Sequence, residues 1–433
     1  MGSLSDPLAL TEGDLKNSRF TSLPPTPPDE PFAVNGAYIE DKDLQKVNLG
    51  IGVYRTADGL PWPLRVVEDA EERLHEVKNV HRHEYLTIQG DKEFLRLASD
   101  LVFGSEARKS AQLVAGPDRD RVVSIQTVSG TGANRLGAEL LARNIRPGCV
   151  WIPDPTWANH HTIWDLAGVQ RKTYPYYNNA SKSFDFEGTV RTLSKSAKQN
   201  DVIILHACAH NPTGADPTQK QWKALSELCK AKGLIPFFDL AYQGFASGNL
   251  EQDTWSIRHF FRCEPKLEFC VAQSFSKNLG LYGQRVGALH VVTSTASHQT
   301  SQNLLGTLCH LVWGEYSMAP RGGSEIVRTV LGDQGLKNKW FDDLVTMSER
   351  IRRMRQALYD ELARLKTPGE WDHILKQIGM FTYLGLSETQ VMEIRSRHHI
   401  YMLKSGRISI SGLNENNVKY VAQSIDDVVR TGL

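Results

Sequence analysis

The 433-residue sequence predicts an α/β fold in which a mostly parallel central sheet carries helices on both faces and adjoins a smaller α+β domain. Between about residues 120 and 292, short β-branched runs alternate with helix-like segments. From about residue 340 the pattern changes to a long amphipathic helix, short strands and a final helix. The length itself indicates two or three domains, because one small core cannot accommodate so many residues.

The strands of the central sheet are predicted from short apolar runs, since their alternation with helices is typical of parallel sheets. These runs are Arg121–Thr127, Val150–Pro153, Val202–Ala207, Leu234–Asp239, Leu267–Phe275 and Val286–Val292. One connecting helix has clear ends: Asp216 is its predicted N-cap, Pro217 lies in its first turn, and Gly233 ends it. The apolar face of this helix consists of Trp222, Leu225 and Cys229.

The smaller domain is predicted from the elements of the C-terminal part. These are a helix at Phe341–Leu365, strands at Met380–Leu384 and Ile408–Ile410, and a helix at Asn417–Val429. We expect residues 31–62 and 340–433 to form this small domain and residues 63–339 the large one. Residues 1–30 are polar and end near a proline-rich run, which predicts an extended arm that crosses to a partner subunit.

Composition and charge exclude several classes of function. The formal net charge is +1 and no basic face or tail is evident, so neither nucleic acid nor a membrane surface is an expected partner. No apolar run is long enough for a transmembrane helix, and the N-terminus lacks a signal-peptide core. The six cysteines form no CxxC pair and no metal-ligand spacing, which predicts reduced thiols, no metal site and a cytoplasmic location.

The segment Ser274-Phe275-Ser276-Lys277-Asn278 follows a predicted strand, and Arg285 comes eight residues after Lys277. A lysine amine forms a Schiff base with an aldehyde cofactor, while hydroxyls and a guanidinium hold that cofactor's phosphate. Pyridoxal 5'-phosphate is the candidate that combines both groups. Taken alone, Lys277 would more often be a surface charge.

Ser129-Gly130-Thr131-Gly132 follows a strand and opens a helix, where backbone N–H groups and the helix dipole attract a phosphate. A dinucleotide fold also places glycines here, but the spacing is not GxGxxG. Asp239 ends a strand, where its carboxylate can pair with a protonated pyridine nitrogen, although a turn aspartate is the plainer interpretation.

Further candidates surround this group. Tyr242 and Asn211 can hydrogen-bond the ring oxygen of the cofactor, and Trp157 can stack on its ring or be an ordinary core residue. His160 can support Asp239 from behind or be a structural histidine. Arg407, at a glycine turn, can grip a carboxylate with both nitrogens or be a surface arginine.

Together these residues resemble the aspartate aminotransferase family, class I of the fold-type I pyridoxal-phosphate enzymes. The likeness covers nearly the whole chain and keeps the family's order of motifs. The motifs are Leu23–Asp29, Val47–Thr56, His83–Leu86, Ser129–Gly132, His206–Gly214, Phe238–Ala246, Ser274–Asn278, Gly379–Phe381 and Ser405–Arg407.

The resemblance implies a role for each matched position. Lys277, Asp239 and Tyr242 are the implied catalytic residues, with Lys277 as the Schiff-base lysine. The implied cofactor contacts are Ser129, Gly130, Thr131, Trp157, Asn211, Asp239, Tyr242, Ser274, Lys277, Arg285 and, from the neighbouring subunit, Tyr85. The implied substrate contacts are Arg407, Gly52, Asn211, Trp157 and Trp313. The family is a homodimer with shared active sites, so the same assembly is expected here.

One departure from the family concerns substrate choice. The family carries a second arginine for the distal carboxylate of aspartate or glutamate, four residues before the serine of a Tyr/Trp-Ser-Asn-Pro-Pro block. Here that position is Trp313, before Tyr316-Ser317-Met318-Ala319-Pro320, and no Arg or Lys lies between Arg285 and Arg321. An unpaired buried carboxylate is costly. Trp313 therefore predicts an apolar or aromatic pocket, while Glu315 either faces a cationic side chain or points outward.

We expect an aminotransferase that moves an amino group between an L-amino acid with a non-acidic side chain and a 2-oxo acid. The alternative is an aminotransferase-like enzyme that performs elimination, oxidation or cyclisation on an amino acid. A non-catalytic scaffold would show damage at the core positions, and none is found. The amino acid used and its amino acceptor stay open.

Overall fold

The structure, a computed structural model, describes residues 20, 23–25, 29–56, 58–77, 83–104, 121–263 and 265–431. Most of the predicted N-terminal arm lies outside the described residues. The strands are β1 (Val47–Asn48), β2 (Val122–Val128), β3 (Val150–Asp154), β4 (Arg171–Pro175), β5 (Tyr177–Asn178), β6 (Ser183–Phe184), β7 (Val202–His206), β8 (Ile235–Leu240), β9 (Phe269–Ser274), β10 (Val286–Val292), β11 (Phe381–Tyr383), β12 (Ile400–Tyr401) and β13 (Arg407–Ser409).

The helices connect and cover these strands. They are α1 (Glu30–Glu40), α2 (Arg65–Glu76), α3 (Lys92–Phe103), α4 (Ser129–Asn144), α5 (Asn159–Leu166), α6 (Phe186–Ser196), α7 (Gln219–Lys232), α8 (Leu250–Asp253), α9 (Trp255–Arg262), α10 (His298–Glu315), α11 (Arg321–Gly332), α12 (Gln334–Leu365), α13 (His373–Lys376), α14 (Glu388–His398) and α15 (Val418–Thr431). A short 3-10 turn at Ile410–Gly412 follows β13.

The central sheet has seven strands in the order β2-β10-β9-β8-β7-β3-β4. Five neighbouring strands, from β9 to β4, run parallel, whereas β10 runs antiparallel to both of its neighbours. The predicted, mostly parallel sheet is therefore confirmed. Strand β4 was not predicted, because this edge strand exposes Arg171, Lys172 and Thr173 and ends in a proline, so it lacks the apolar run of an inner strand.

Both faces of the sheet are buried under helices, as predicted. Ile204 and Phe237 point into the apolar cluster beneath α4, α5 and α10, while Leu205 and Phe238 point into the cluster on the opposite face. Alternation of side chains along each strand assigns neighbouring residues to opposite clusters. The second cluster continues into the C-terminal part through residues such as Leu358 of α12 and Val421 of α15.

The predicted start of α7 was wrong. Thr218, not Asp216, is the N-cap: its hydroxyl accepts from the backbone N–H of Gln221, whose side chain accepts from the N–H of Thr218. This reciprocal capping box satisfies two donors at the helix start. The carboxylate of Asp216 instead accepts from the backbone N–H groups of Ala209 and His210 at 2.6 and 2.9 Å. The predicted end at Gly233 is confirmed, since it adopts a left-handed conformation with φ of 62°.

The C-terminal part contains two small sheets. β11 and β13 pair antiparallel, while β1 pairs in parallel with β12, so residues near 47 and 400 share one sheet. The long helix begins at Gln334 rather than Phe341, and it packs against α15. The division into a small domain of residues 31–62 and 340–433 and a large domain of residues 63–339 stays our proposal. In the described part of the chain, no helix is long and apolar enough to cross a membrane.

Helix α4 approaches the sheet closely because Gly137 has no side chain. A Cβ built on Gly137 would lie 2.5 Å from Cε2 of the buried Phe237. We predict that Gly137→Ala lowers the free energy of unfolding by about 1–3 kcal/mol, as overpacking usually does. Denaturant unfolding monitors this change. The matched control is Gly36→Ala in α1, where an added Cβ meets no heavy atom within 4 Å and stability should hold or rise. Equal effects of both variants would contradict the packing argument.

Candidate active site

A cavity opens at the carboxyl edge of the parallel strands, where α/β sheets bind ligands. Asp239 lies at the end of β8, Asn211 follows β7, and Lys277 lies three residues after β9. Ten of the predicted site residues line this one cavity. They are Ser129, Gly130, Thr131, Trp157, Asn211, Asp239, Tyr242, Ser274, Lys277 and Arg285.

Hydroxyl groups and a guanidinium converge at the N-terminus of α4. The hydroxyl of Ser129 lies 2.8 Å from that of Ser276 and 3.2 Å from that of Ser274. Nη1 of Arg285 donates to the Ser276 hydroxyl at 3.5 Å. A Cβ on Gly130 would lie 2.9 Å from Cβ of Ser274, so only glycine keeps this hollow open. Such a donor set at a helix N-terminus fits a phosphate.

Asp239 is a buried carboxylate at the other end of the cavity. Its Oδ2 lies 3.1 Å from Nε2 of His160. Burial alone would raise the pKa of Asp239, but the hydrogen bond from His160 and the electrostatic effects of His160 and Lys277 outweigh burial and lower it overall. The carboxylate therefore stays ionised, which is the state that pairs with a protonated ring nitrogen. The predicted supporting contact of His160 is present in the structure.

The amine of Lys277 faces the aromatic ring of Tyr242, with Nζ 5.6 Å from the ring centroid. Burial lowers the pKa of Lys277, and the positive charges of Arg285 and Arg407 lower it further, while Asp239 opposes them. A lowered pKa increases the share of neutral amine, the form that attacks an aldehyde and accepts a proton. The position of this amine within the cavity thus fits the covalent attachment of an aldehyde.

Arg407 lies beside the cavity with only 5% of its surface exposed. Its Nη1 donates to Oδ1 of Asn211 at 3.3 Å, its Nη2 donates to the carbonyl oxygen of Gly50, and its Nε is buried with no hydrogen-bond partner among the described residues. Burial lowers the pKa of Arg407 to about 10. The ring of Phe381 covers the guanidinium at 4.2 Å, and Gly52 is packed against the same ring. A buried cation met only by neutral oxygens fits an incoming carboxylate.

Besides Arg407 and Gly52, which lie beside the cavity, two further predicted residues do not line it. Tyr85 is 78% exposed and Trp313 is 65% exposed in the single protomer. Both had been expected to act at a subunit boundary, from the resemblance of their motifs. The described residues of one chain therefore hold an incomplete set of the predicted contacts.

Four further residues line the cavity and were absent from the predicted set: Asn134, His206, Ala241 and Ser276. Ser276 directly precedes Lys277, so its hydroxyl could have been grouped with that of Ser274. Asn134 lies one helical turn after Gly130, and its Nδ2 donates to the carbonyl oxygen of Gly130 at 3.0 Å. The Oδ1 of Asn134 is buried, and no described residue donates a hydrogen bond to it.

Comparisons with known proteins decide the family. The family model described as "Aminotransferase class I and II" matches residues 45–425. The chain belongs to this family. Aminotransferases of this family are pyridoxal-phosphate enzymes, and the cavity contains a phosphate donor set, a carboxylate and an amine that fit this cofactor. The protein is thus a pyridoxal-phosphate-dependent aminotransferase, which exchanges an amino group between an amino acid and a 2-oxo acid.

Individual relatives agree with this assignment. The L-tyrosine:2-oxoglutarate aminotransferase ucdG of Aspergillus ustus is 52% identical over 92% of this chain and 76% of that protein. The cytoplasmic aspartate aminotransferase of Oryza sativa subsp. japonica is 43% identical over 95% of this chain and 98% of that protein.

Solved structures confirm the predicted fold type. The cytoplasmic aspartate aminotransferase of Saccharomyces cerevisiae superposes with a TM-score of 0.91 at 39% identity, over 96% of this chain and 99% of that one. An aromatic-amino-acid aminotransferase from Burkholderia pseudomallei, covalently bound to pyridoxal phosphate, gives 0.88 at 35% identity, over 95% of this chain and all of that one.

Removal of the cavity's amine provides a direct check. We predict that Lys277→Ala lowers turnover by at least about 100-fold, because a positioned general base contributes that much or more. The purified variant should also lack the visible absorption of a covalently attached aldehyde cofactor. Lys220→Ala, which removes an exposed lysine at the start of α7, is the control and should leave both properties unchanged. Retained turnover and colour in the first variant would refute the assigned attachment point.

Proposed function

We propose that this aminotransferase acts on L-amino acids with an uncharged aromatic side chain and passes the amino group to a 2-oxo acid. The observation that carries the proposal is Trp313 at the position where the family has its distal arginine, with no Arg or Lys between Arg285 and Arg321. A distal carboxylate would find no cation from this stretch. The 52% identical L-tyrosine:2-oxoglutarate aminotransferase supports an aromatic substrate.

The reaction needs a proton carrier, which we propose is Lys277. When bound, the cofactor supplies an aldehyde for the amino group and a ring that withdraws electrons from the substrate Cα. Nζ of Lys277 would hold the cofactor, remove the Cα proton and carry a proton between the two half-reactions. Asp239 would hold the ring nitrogen in its protonated form, and Tyr242 and Asn211 would hydrogen-bond the ring oxygen.

Binding of the cofactor phosphate is assigned to the hydroxyl and guanidinium cluster. Ser129, Gly130 and Thr131 supply the helix N-terminus, while Ser274 and Arg285 add side-chain donors. Ser276 joins this set because its hydroxyl bridges Ser129 and Arg285. Trp157 would stack on the cofactor ring and limit the access of water to it.

Substrate orientation is assigned to Arg407, which would grip the α-carboxylate. Among the described residues, Nε of this guanidinium has no acceptor and the other two nitrogens donate to neutral oxygens. The guanidinium can therefore bind a carboxylate. Gly52 would contact the substrate beside this guanidinium, and its lack of a side chain leaves room for the ring of Phe381, which would lie 2.8 Å from a Cβ there. With the carboxylate fixed, the Cα–H bond is directed at one face of the site.

We further propose a homodimer that shares its two active sites. Tyr85 and Trp313 are exposed aromatic residues on neighbouring segments, since the backbone N–H of Leu86 donates to Sδ of Met318 at 3.1 Å. Arg321 also donates to the carbonyl oxygens of Glu84 and Tyr85. One surface thus carries both residues, and a second copy would receive Tyr85 at its phosphate and Trp313 at its side-chain pocket. A cytoplasmic location is part of the proposal, supported by the cytoplasmic relatives.

Glu315 does not favour a cationic substrate. Burial raises its pKa, while the nearby charges of Arg135 and Arg143 lower it. Those arginines also bind Glu139 on α4, so Glu315 lies beside a charge cluster of its own protomer. Elimination, oxidation or cyclisation is likewise not favoured, because the relatives compared above are aminotransferases.

The side-chain pocket can be tested by restoring the family's cation. We predict that Trp313→Arg raises kcat/KM for L-aspartate by about 10-fold or more, since a charge-assisted hydrogen bond contributes about 1.5–3 kcal/mol. The same change should lower kcat/KM for L-tyrosine. Trp313→Leu is the control, which removes the indole without adding charge and should not raise activity on L-aspartate. No gain in the arginine variant would mean that residue 313 lies outside the side-chain pocket.

Mixed dimers distinguish a shared site from a self-contained one. We predict that a heterodimer of Lys277→Ala and Trp313→Arg protomers prefers L-tyrosine, like the unmodified enzyme. Only the Trp313→Arg protomer keeps Lys277, and in a shared site this lysine would face the Trp313 contributed by the other protomer. Separate affinity tags allow this heterodimer to be purified and its two kcat/KM values measured. A preference for L-aspartate would place Trp313 in its own protomer's site and contradict the shared arrangement.

A further inference from the structure

Arg355 of α12 is a buried cation. It is not among the site residues that the resemblance to the family implies. It is 2% exposed, and its guanidinium donates to the carbonyl oxygens of Ile374, Gly379 and Phe381 at 3.0, 2.9 and 2.6 Å and to the hydroxyl of Thr382. All four acceptors are neutral. Burial lowers the pKa of Arg355 to about 9. A buried charge kept on neutral acceptors is costly, so several hydrogen bonds are needed to replace the water it has lost.

The contacts of Arg355 converge on the strand pair that carries Arg407. In the β11–β13 ladder Tyr383 pairs with Arg407 and Thr382 pairs with Ile408. Successive side chains of a strand point to opposite faces, so Thr382 and Arg407 lie on opposite faces of the pair. Arg355 therefore holds this small sheet from behind, while Arg407 projects from its front toward the cavity.

Phe381 joins the two guanidinium groups. Its carbonyl oxygen accepts from Arg355, and its ring covers Arg407 at 4.2 Å. The same ring fills the space beside Gly52. A shift of β11 would consequently move the cover of Arg407 and the wall next to Gly52 together. The acceptors that bind Arg355 are three carbonyl groups and one hydroxyl. None of them is a carboxylate, so none competes with a substrate carboxylate for Arg407.

We propose that Arg355 is a positioning residue for the substrate carboxylate: it fixes the β11–β13 pair so that Arg407 meets the α-carboxylate in the correct geometry. The inference rests on the proposed role of Arg407. A lysine at this position would keep the charge but could not reach four acceptors at once, because its single ammonium lacks the planar fork of a guanidinium.

The test compares L-tyrosine with tyramine, which has the same amine and side chain but no carboxylate. Single-turnover conversion of the bound cofactor gives an efficiency for each compound. We expect Arg355→Lys to lower the efficiency for L-tyrosine by about 10-fold, as small misplacements of binding groups do. The efficiency for tyramine should stay within about twofold, so the ratio of the two falls. KM for L-tyrosine should rise while kcat changes little.

Three further variants make the result decisive. Arg353→Gln, an exposed position on the same helix, should leave the ratio unchanged. Arg407→Gln should lower it strongly; an unchanged ratio there would overturn the proposed role of Arg407 and this inference with it. If Arg407→Gln lowers the ratio but Arg355→Lys reduces both efficiencies equally, the inference alone is overturned. Should Arg355→Lys fail to fold, Thr382→Val removes one acceptor and should lower the ratio in the same direction, by about threefold.

Discussion

The active site depends on three ionisable side chains that are withdrawn from bulk water and are not fully paired with one another. Asp239 is hydrogen-bonded to His160, and Lys277 interacts electrostatically with Asp239. Among the described residues, the hydrogen-bond acceptors of Arg407 are neutral oxygens. Withdrawing a charge from water is costly unless an opposite charge or several hydrogen bonds replace the water. The cleft is therefore best stabilised when ligands supply a ring nitrogen, an aldehyde and a carboxylate, which are the groups that transamination brings together.

The side chains behind Asp239 hold its carboxylate in place. Thr156 places its hydroxyl 2.9 Å from Nδ1 of His160 and 3.1 Å from Nε2 of His206, so the two rings are fixed in one chain of hydrogen bonds. Burial lowers the pKa of His206 well below its usual value, which keeps this second ring neutral. The position of Asp239 is thus set by a chain of hydrogen-bonded side chains, and a fixed hydrogen-bond partner is what a preorganised site requires.

The cavity residues were predictable from the sequence because most of their motifs follow a strand directly. The carboxyl ends of parallel strands meet at one edge of the sheet, so these motifs come together there. Prediction from the sequence failed where competing contacts decide the outcome. Asp216 looked like a helix cap, but two backbone N–H groups on the preceding loop bind its carboxylate, and Thr218 two residues later has a matching glutamine. Ser276 was not assigned from the sequence; in the folded loop its hydroxyl lies between the hydroxyl of Ser129 and the guanidinium of Arg285.

Other features were beyond any local pattern. The contacts of Arg355 join residues 19 to 27 positions apart in the chain, so a periodic pattern of neighbouring residues does not predict them. Tyr85 and Trp313 could be singled out only by resemblance, since each is a solvent-exposed aromatic residue in one protomer. A residue that acts on another subunit has no local signature in its own chain, because its partners are not its neighbours in sequence.

Because β10 runs antiparallel to β9, the loop that joins these two strands has little freedom to gain or lose residues. Ser274 pairs with Gly287, and the N–H of Phe275 donates to the carbonyl oxygen of Val286, so the stretch between them forms a closed loop that carries both Lys277 and Arg285. An inserted or deleted residue in this loop would change the spacing between Lys277, the proposed covalent anchor, and the guanidinium of Arg285, which is proposed to bind the phosphate. Natural variation in loop length should therefore accumulate elsewhere, and this short stretch should keep a fixed residue count wherever the chemistry is retained.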